Sequence, residues 1–219
     1  MRIPSAITQV FSAFLDALLP LSSESVIARA LDEEELVKLI TPVSHRREPW
    51  VYCMFRYSDP KVRALMRAIK YRGEKAPLSA LGRITADEIM SILEDKVLLE
   101  GWKDILLTPV PSSPQRLRNR GYNQADRIAL AALPHLENML SYAPDILARH
   151  DRVSQVKVEK GGRRENIRNA FFVLRPEKIN GKYVILIDDV VESGTTLEDA
   201  RRALIEAGAV DVIAIAIAH

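Results

Sequence analysis

The sequence predicts an α/β fold, in which a parallel sheet carries helices on both faces and follows a small, mainly helical segment. From residue 104 onward, strand-like apolar runs alternate with amphipathic helical patterns, as in βαβ units. Two runs, at 184–187 and 212–218, are apolar throughout, which is typical of strands buried on both faces. The 219 residues, 47% hydrophobic and 27% charged, suit a globular chain that buries a substantial core.

The composition limits the classes of protein to consider. The formal net charge of +2 argues neither for nor against a nucleic-acid partner. Cys53 is the single cysteine, which excludes an internal disulfide framework and a cysteine-based zinc site within one chain. The apolar stretch 6–21 is too short and too often interrupted by polar residues to span a bilayer. We expect a cytoplasmic protein with no membrane span and no signal peptide.

The first 50 residues predict two helices. An apolar stripe at helical spacing ends at Pro20, and whether it packs on the body of the protein or faces a membrane or partner stays open. A second helix is predicted within 30–40, with acids in its first turn. We expect residues 1–50 to form a helical segment and 51–219 the α/β domain. The stripe comprises Ile3, Ile7, Val10, Phe11, Phe14, Leu15 and Leu18.

The remaining elements follow from the same patterns. An aromatic and β-branched run within 48–58 predicts a strand, and Asp59 and Pro60 predict the start of a helix that Gly73 closes. Further helices are predicted at 79–95, 125–136 and 195–209, further strands at 104–111, 145–150, 171–174, 182–189 and 211–219, and polar or basic loops at 112–124 and 151–170.

Asp188 and Asp189 stand at the end of an apolar strand, where ligands bind in open parallel sheets. Two adjacent carboxylates can accept a vicinal diol and help to hold Mg²⁺ through water. The small and hydroxyl residues at 193–196 then lead into a helix, whose free N–H groups suit a phosphate. Thr195 and Glu198 have the spacing of a capping box. A ribose 5-phosphate presents this combination of groups.

Three other interpretations of the acid pair are weaker. A Walker B strand requires a P-loop, and the chain has no GxxxxGK[ST] motif. A receiver domain carries its acids near the first strand, whereas this pair precedes the last βα unit. The third interpretation, in which the acids only cap the following loop, explains neither the pairing nor the hydroxyl-rich turn.

The stretch VILIDDVVESGTTL resembles the phosphoribosyl pyrophosphate (PRPP) motif of type I phosphoribosyltransferases. Three further segments, AIKYRGEKAPLSALG, TPVPSSPQRLRNRGYNQA and SQVKVEKGGRRENIRNAFFV, resemble the ComF family of predicted phosphoribosyltransferases, which is linked to competence and DNA uptake. The resemblance runs from about residue 52 to the end. It implies a type I phosphoribosyltransferase-like fold and a Mg²⁺-dependent phosphoribosyltransferase, that is, a glycosyltransferase, with PRPP as donor.

The resemblance also implies roles for particular residues. Asp188 and Asp189 would hold the ribose hydroxyls and, through water, Mg²⁺. The loop 111–121 would face the pyrophosphate, and 152–169 would be a mobile loop that closes over the site. The catalytic candidates are Asp188, Asp189 and Arg164, and the candidates for binding the donor are Ser193, Gly194, Thr195, Thr196, Arg116, Arg118, Arg120 and Lys70.

The charges agree with those roles, although some residues have plainer explanations. Arginine suits bidentate contact with phosphate, and the loop 112–124 carries three arginines and no acid. Lys70 ends a helix, where a cation is favourable in any case. Asn123 and Gln124 could instead cap the next helix. Cys53 is expected to be a buried small hydrophobe.

The sequence departs from the family pattern in two places. ComF-like proteins often carry paired zinc-binding cysteines after the first helix, but here the region 21–40 has serines and no cysteine. No zinc is therefore expected. Glu192 adds an acid beside the predicted phosphate cradle, where it would be unfavourable unless it points outward.

Two functions remain open from the sequence. The first is an enzyme that transfers phosphoribosyl from PRPP to an unidentified acceptor. The second is a non-catalytic PRPP- or nucleotide-binding module, or a DNA-uptake accessory protein whose basic segments track single-stranded DNA. The basic segments lack the interleaved aromatic residues that stack on bases. The sequence does not give the oligomeric state.

Overall fold

The computed structural model describes residues 23–40, 43–44, 49–72, 75–136, 138–150 and 170–219. The helices are α1 (Ser23–Arg29), α2 (Glu33–Leu39), α3 (Pro60–Arg67), α4 (Lys75–Glu100), α5 (Pro114–Arg120), α6 (Gln124–Ala132) and α7 (Thr195–Glu206), with a π-helical turn at Ala68–Arg72 and 3₁₀ turns at Leu133–His135 and Pro176–Lys178. The strands are β1 (Val43–Ser44), β2 (Val51–Phe55), β3 (Ile105–Pro109), β4 (Ser141–Tyr142), β5 (Leu147–Arg149), β6 (Phe171–Val173), β7 (Tyr183–Val190) and β8 (Asp211–Ala218).

The main sheet has the order β1-β2-β8-β7-β3-β4. Strands β2, β8, β7, β3 and β4 run parallel to one another, and β1 pairs antiparallel with β2 at the edge. This arrangement, with helices packed on the sheet, confirms the predicted α/β class.

Both faces of the sheet are buried, as the continuous apolar strands predict. Ile185 and Ile187 of β7 join one core with the helices α3, α4 and α6, whereas Val184 and Leu186 join a second core with α7. The alternation follows the two-residue period of a strand. The first core also receives Leu31 and Leu36, so the described part of the N-terminal segment packs on the α/β body.

The strands β5 and β6 lie outside the main sheet and form a separate antiparallel pair, with Arg149 opposite Phe171. The sequence predicted both strands but did not show that they pair with each other. The predicted mobile loop, including Arg164, falls within 151–169 and lies outside the described residues.

The helix α4 is longer than predicted, with 26 residues. Its Gly82 lies against Ala131 of α6 so closely that an added Cβ would sit 2.5 Å from the Ala131 Cβ. Glycine therefore permits the close packing of these two helices. Within the described part of the chain, no helix is both long enough and apolar enough to cross a membrane.

The connections that follow β3 and β7 lead to strands on opposite sides of this pair. Helix α6 leads from β3 to β4 and packs in the first core, while α7 leads from β7 to β8 in the opposite direction and packs in the second. Because β3 and β7 are neighbours, their carboxyl ends border the topological switch point. Ligands of open α/β sheets bind in this crevice.

Candidate functional site at the carboxyl ends of β3 and β7

Asp188 and Asp189 lie within the last three residues of β7 and not in the loop beyond it, because the strand continues to Val190. Asp188 pairs with Ala216 and Val190 with Ala218 of β8. The Oδ1 of Asp188 accepts the N–H of Asp189 at 2.9 Å, and the Oδ1 of Asp189 accepts the N–H of Val190 at the same distance. Both carboxylates are half-buried.

The strand loses its regular alternation at the acid pair. Ile187 and Val190 are three residues apart, yet both pack on the first core. In a regular strand such residues would face opposite sides. The pairing with β8 keeps its register through Asp188 and Val190, so the change lies in how the end of the strand packs and not in its pairing.

The pKa of Asp188 lies well above its ordinary value because the surrounding protein desolvates the carboxylate, and the negative charge of Asp189 raises it further. The N–H of Asp189 and the positive charge of Arg116 act in the opposite direction. The site thus holds two repelling carboxylates that a bound cation or hydroxyl groups would stabilise.

The turn after β7 differs from the predicted capping box. Gly194, with φ of 77°, occupies the N-cap position of α7, and Thr195 is already the first helical residue. Glu198 donates its backbone N–H to the Gly194 carbonyl, and Ser193 Oγ and Thr195 Oγ1 lie 2.8 Å apart. Glycine tolerates this positive φ, and the nearest atom to the position that a Cβ would take is Glu198 Oε1, at 4.0 Å.

The residues of the predicted phosphate cradle form a turn that leads into a helix, and their binding of phosphate stays a prediction. Gly194 is buried, Ser193 is exposed, and Thr195 and Thr196 are half-buried. Glu192 is exposed to solvent, so this acid is not buried beside the cradle.

The segment 112–124, predicted as a loop, contains the helix α5, and that prediction was wrong. Ser113 accepts the N–H of Arg116 at 3.3 Å as the N-cap, Pro114 is the first helical residue, and Gly121 ends the helix with φ of 78°. Ser-Pro at the start and Gly at the end are ordinary helix signals. The dense positive charge of the segment favoured a loop over a helix in the sequence analysis, so these helix signals were overlooked.

The helix separates the three arginines of the segment. Positions 116 and 120 are four residues apart and share one face, whereas Arg118 is about 200° around the axis from Arg116. The charge of Arg116 acts on Asp188 across the switch point. The helix has no buried residue, so its side chains lie at the surface or beside the site.

Asn123 does not cap α6 through its side chain, although it occupies the N-cap position. Its Nδ2 donates to the Val110 carbonyl at 3.0 Å, and its Oδ1 accepts the Ser112 hydroxyl at 2.9 Å. Gln124, the first residue of α6, is buried and donates to the Met66 carbonyl at 3.3 Å. The capping prediction for both side chains was wrong, because they bind backbone and side-chain groups of other segments.

Lys70 lies in the π-helical turn that extends α3, and its carbonyl accepts the hydroxyl of Tyr122. Gly73, the predicted end of this helix, lies outside the described residues. Sequence reasoning assigned no role to Tyr122 and missed this contact. The sequence offered one signal for it, since Tyr122, Asn123 and Gln124 are three consecutive side chains that can each donate a hydrogen bond.

Cys53 is buried, with 3% of its surface exposed, and burial raises the pKa of its thiol to about 11. It therefore stays a protonated, apolar side chain at neutral pH, which confirms the prediction.

The residues present fit a Mg²⁺ ion in part. Across the described ranges, no group of three or more His, Cys, Asp or Glu side chains could hold a metal by themselves. Mg²⁺ usually takes one or two carboxylates, with water and substrate oxygens as its other ligands. The adjacent carboxylates of Asp188 and Asp189 match that donor set.

The phosphoribosyl transferase domain family matches residues 128–219, which include β7, the cradle and α7. The α/β fold and the acid pair at the switch point agree with this match, which covers less than half of the chain. A hypoxanthine phosphoribosyltransferase from Staphylococcus aureus aligns with 64% of the chain and 61% of its own length, with 11% identity and a TM-score of 0.39.

Two competence proteins are similar in sequence. Competence protein ComFC of Bacillus subtilis is 28% identical over 155 residues, which cover 71% of this chain and 58% of the relative. Competence protein ComFC of Streptococcus pneumoniae is 32% identical over 114 residues, which cover 52% of this chain and 48% of the relative. The chain thus spans about half the length of these relatives. It is similar in sequence to these ComF proteins, and its residues 128–219 match the phosphoribosyl transferase domain family.

Proposed function

We propose that the protein binds PRPP with Mg²⁺ at the switch point between β3 and β7 and transfers its phosphoribosyl group to an acceptor, with release of pyrophosphate. One observation carries the proposal. A diol-accepting acid pair, an open helix start and an arginine whose charge acts on Asp188 meet at the carboxyl ends of two adjacent strands. The three features match the ribose hydroxyls, the 5-phosphate and the pyrophosphate of PRPP.

In this proposal, three groups of residues each bind one part of the donor. Asp188 and Asp189 accept the 2- and 3-hydroxyls of the ribose. Gly194 and the following N–H groups of α7 bind the 5-phosphate, with the hydroxyls of Thr195 and Thr196. Arg116 and Arg120 share the face of α5 that contacts the pyrophosphate.

The reaction breaks the bond between C1 of the ribose and the pyrophosphate oxygen, and the electron pair leaves with the pyrophosphate. A new bond forms between C1 and a nucleophilic atom of the acceptor, which loses its proton. Positive charge develops on the sugar while negative charge develops on the leaving group. The arginines stabilise the leaving group, and the aspartates hold the ribose in position. Mg²⁺, when bound, would neutralise part of the pyrophosphate charge.

The transfer to an acceptor is tested by measuring the release of pyrophosphate. We expect pyrophosphate release when the protein, PRPP and Mg²⁺ are incubated with a metabolite pool, and we expect Asp188→Asn to abolish the release. The matched control Asp104→Asn changes an exposed aspartate just before the amino end of β3, away from the carboxyl ends of the strands, and should leave the rate unchanged. PRPP binding without release from any acceptor would contradict the transferase and favour a binding module.

A second candidate is a role in handling DNA. The relatives named competence protein, and a Salmonella typhimurium relative named DNA utilization protein YhgH (24% identical over 153 residues, 70% of this chain and 65% of the relative), favour it. The helix α5, which exposes Arg116 and Arg118, offers surface cations for a phosphate backbone. Binding to single-stranded DNA that weakens steeply with salt would support this function, and no binding at low salt would exclude it.

A further inference from the structure

The three side chains 122–124 contact both segments that border the arginine half of the site. The preceding residue, Gly121, ends α5, so Tyr122 and Asn123 form the short connection between two helices and Gln124 begins α6. Each has a hydrogen bond to a residue at least 11 positions away in sequence. Such contacts fix the connection in place and fix the segments it touches.

Asn123 holds the segment that joins β3 to α5. The Val110 N–H donates to the Ile187 carbonyl at 2.8 Å, while the Val110 carbonyl accepts Asn123 Nδ2. Val110 is thus bound to β7 on one side and to Asn123 on the other. Ser112 donates to the same amide, and the next residue, Ser113, caps α5. The amide therefore fixes the start of the helix that carries Arg116.

Tyr122 holds the π-helical turn that carries Lys70. Its hydroxyl lies 3.2 Å from the Ile69 carbonyl and nearer to the Lys70 carbonyl, and its single hydrogen can be donated to one of them at a time. The guanidinium of Arg127 lies 4.7 Å from the centre of the Tyr122 ring. Gln124 adds a bond to Met66 of α3. π-helical turns are frequent at functional sites, where their carbonyls need partners outside the helix.

We propose that Asn123, supported by Tyr122, is a positioning residue that sets Arg116 and Lys70 for the pyrophosphate end of the donor. This inference rests on the proposed function and adds that the two ends of the donor depend on different segments of the protein. The pyrophosphate end depends on the segment 122–124, whereas β7 and α7 form the ribose 5-phosphate end. The side-chain hydrogen bonds of 122–124 given above go to Met66, Ile69, Lys70, Val110 and Ser112.

The test measures the two ends separately by calorimetry with ribose 5-phosphate and with inorganic pyrophosphate and Mg²⁺. In Asn123→Ala we expect the affinity for pyrophosphate to fall about tenfold, a typical effect of a misplaced binding group, and the affinity for ribose 5-phosphate to stay unchanged. Asn180→Ala, an exposed asparagine before the amino end of β7, is the matched control and should change neither.

The outcomes distinguish a failure of the positioning role from a failure of the proposed function. Unchanged pyrophosphate affinity in Asn123→Ala, or an equal loss of both affinities, would overturn the positioning role. If the wild-type protein binds neither ligand, the proposed function fails first. If Asn123→Ala does not fold, Tyr122→Phe removes only the hydroxyl and keeps the ring beside Arg127. That variant should lose about threefold in pyrophosphate affinity alone, and an unchanged affinity would overturn the role.

Discussion

At the scale of single residues, the acid pair is held in an arrangement that lowers the stability of the fold. Asp188 is desolvated and stands beside a second carboxylate, and both effects raise its pKa. A folded-state pKa above the unfolded value means that ionising the group destabilises the fold as the pH rises through that pKa. Residues that carry such strain are common at functional sites.

We therefore expect Asp188→Asn to stabilise the ligand-free protein. The amide removes one of the two repelling charges, and its Oδ1 can still accept the N–H of Asp189. A gain of about 1 kcal/mol would raise Tm by about 2–4 °C at neutral pH. The control Asp104→Asn, whose carboxylate forms only an exposed pair with Lys182, should change Tm little. A lower Tm in Asp188→Asn, measured by calorimetry, would contradict this interpretation.

At the scale of elements, α7 both begins at the phosphate cradle and anchors the β5–β6 pair. Asp199 of α7 is buried, with 5% of its surface exposed, and accepts the N–H of Phe171 at 3.0 Å. The same carboxylate binds Arg202 through Nε at 3.1 Å and Nη2 at 2.8 Å. One side chain thus ties the second sheet to the helix of the site.

Removal of this carboxylate should loosen the β5–β6 pair. We expect Asp199→Ala to lower the free energy of unfolding by about 2–3 kcal/mol, because the Phe171 N–H would lose its partner. Glu206→Ala removes the other acid bound to Arg202, but Glu206 is exposed, so its loss should cost about 0.5 kcal/mol or less. Urea unfolding measures both values, and equal effects would show that Asp199 is an ordinary surface partner.

The elements also show how far the sequence determines the fold. The buried strands β3, β7 and β8 and the cap of α3 by Asp59 followed from hydrophobic pattern and capping chemistry, which act within a few residues. The pairing of β5 with β6 and the bonds of Asn123 depend on residues far apart in sequence. No local pattern reports them, so they were not predictable.

The candidate site likewise has a part that the sequence could predict and a part that it could not. The acid pair and the glycine turn form one continuous stretch, so the sequence could predict them together. The common face of Arg116 and Arg120 required the helix α5, which the charge pattern concealed. The roles of the donor-binding residues stay predictions, and Arg164 lies outside the described residues.

At the scale of the whole molecule, the topology brings distant segments to one point. The connection after β3 and the turn after β7 are about 80 residues apart in the chain, yet adjacent strands place them at the same crevice. The two helices that follow them leave in opposite directions, which opens the crevice for a ligand. The central claim is that this ligand is PRPP.

The most direct test is the Tm of the protein with millimolar PRPP and Mg²⁺. A ligand that binds only the folded state at 100 times its Kd adds about 2.7 kcal/mol, which corresponds to a rise of several degrees. We predict this rise for the wild-type protein, and its loss in the folded double variant Asp188→Asn with Asp189→Asn. An unchanged Tm in the wild type, or a full rise in the double variant, would contradict the account.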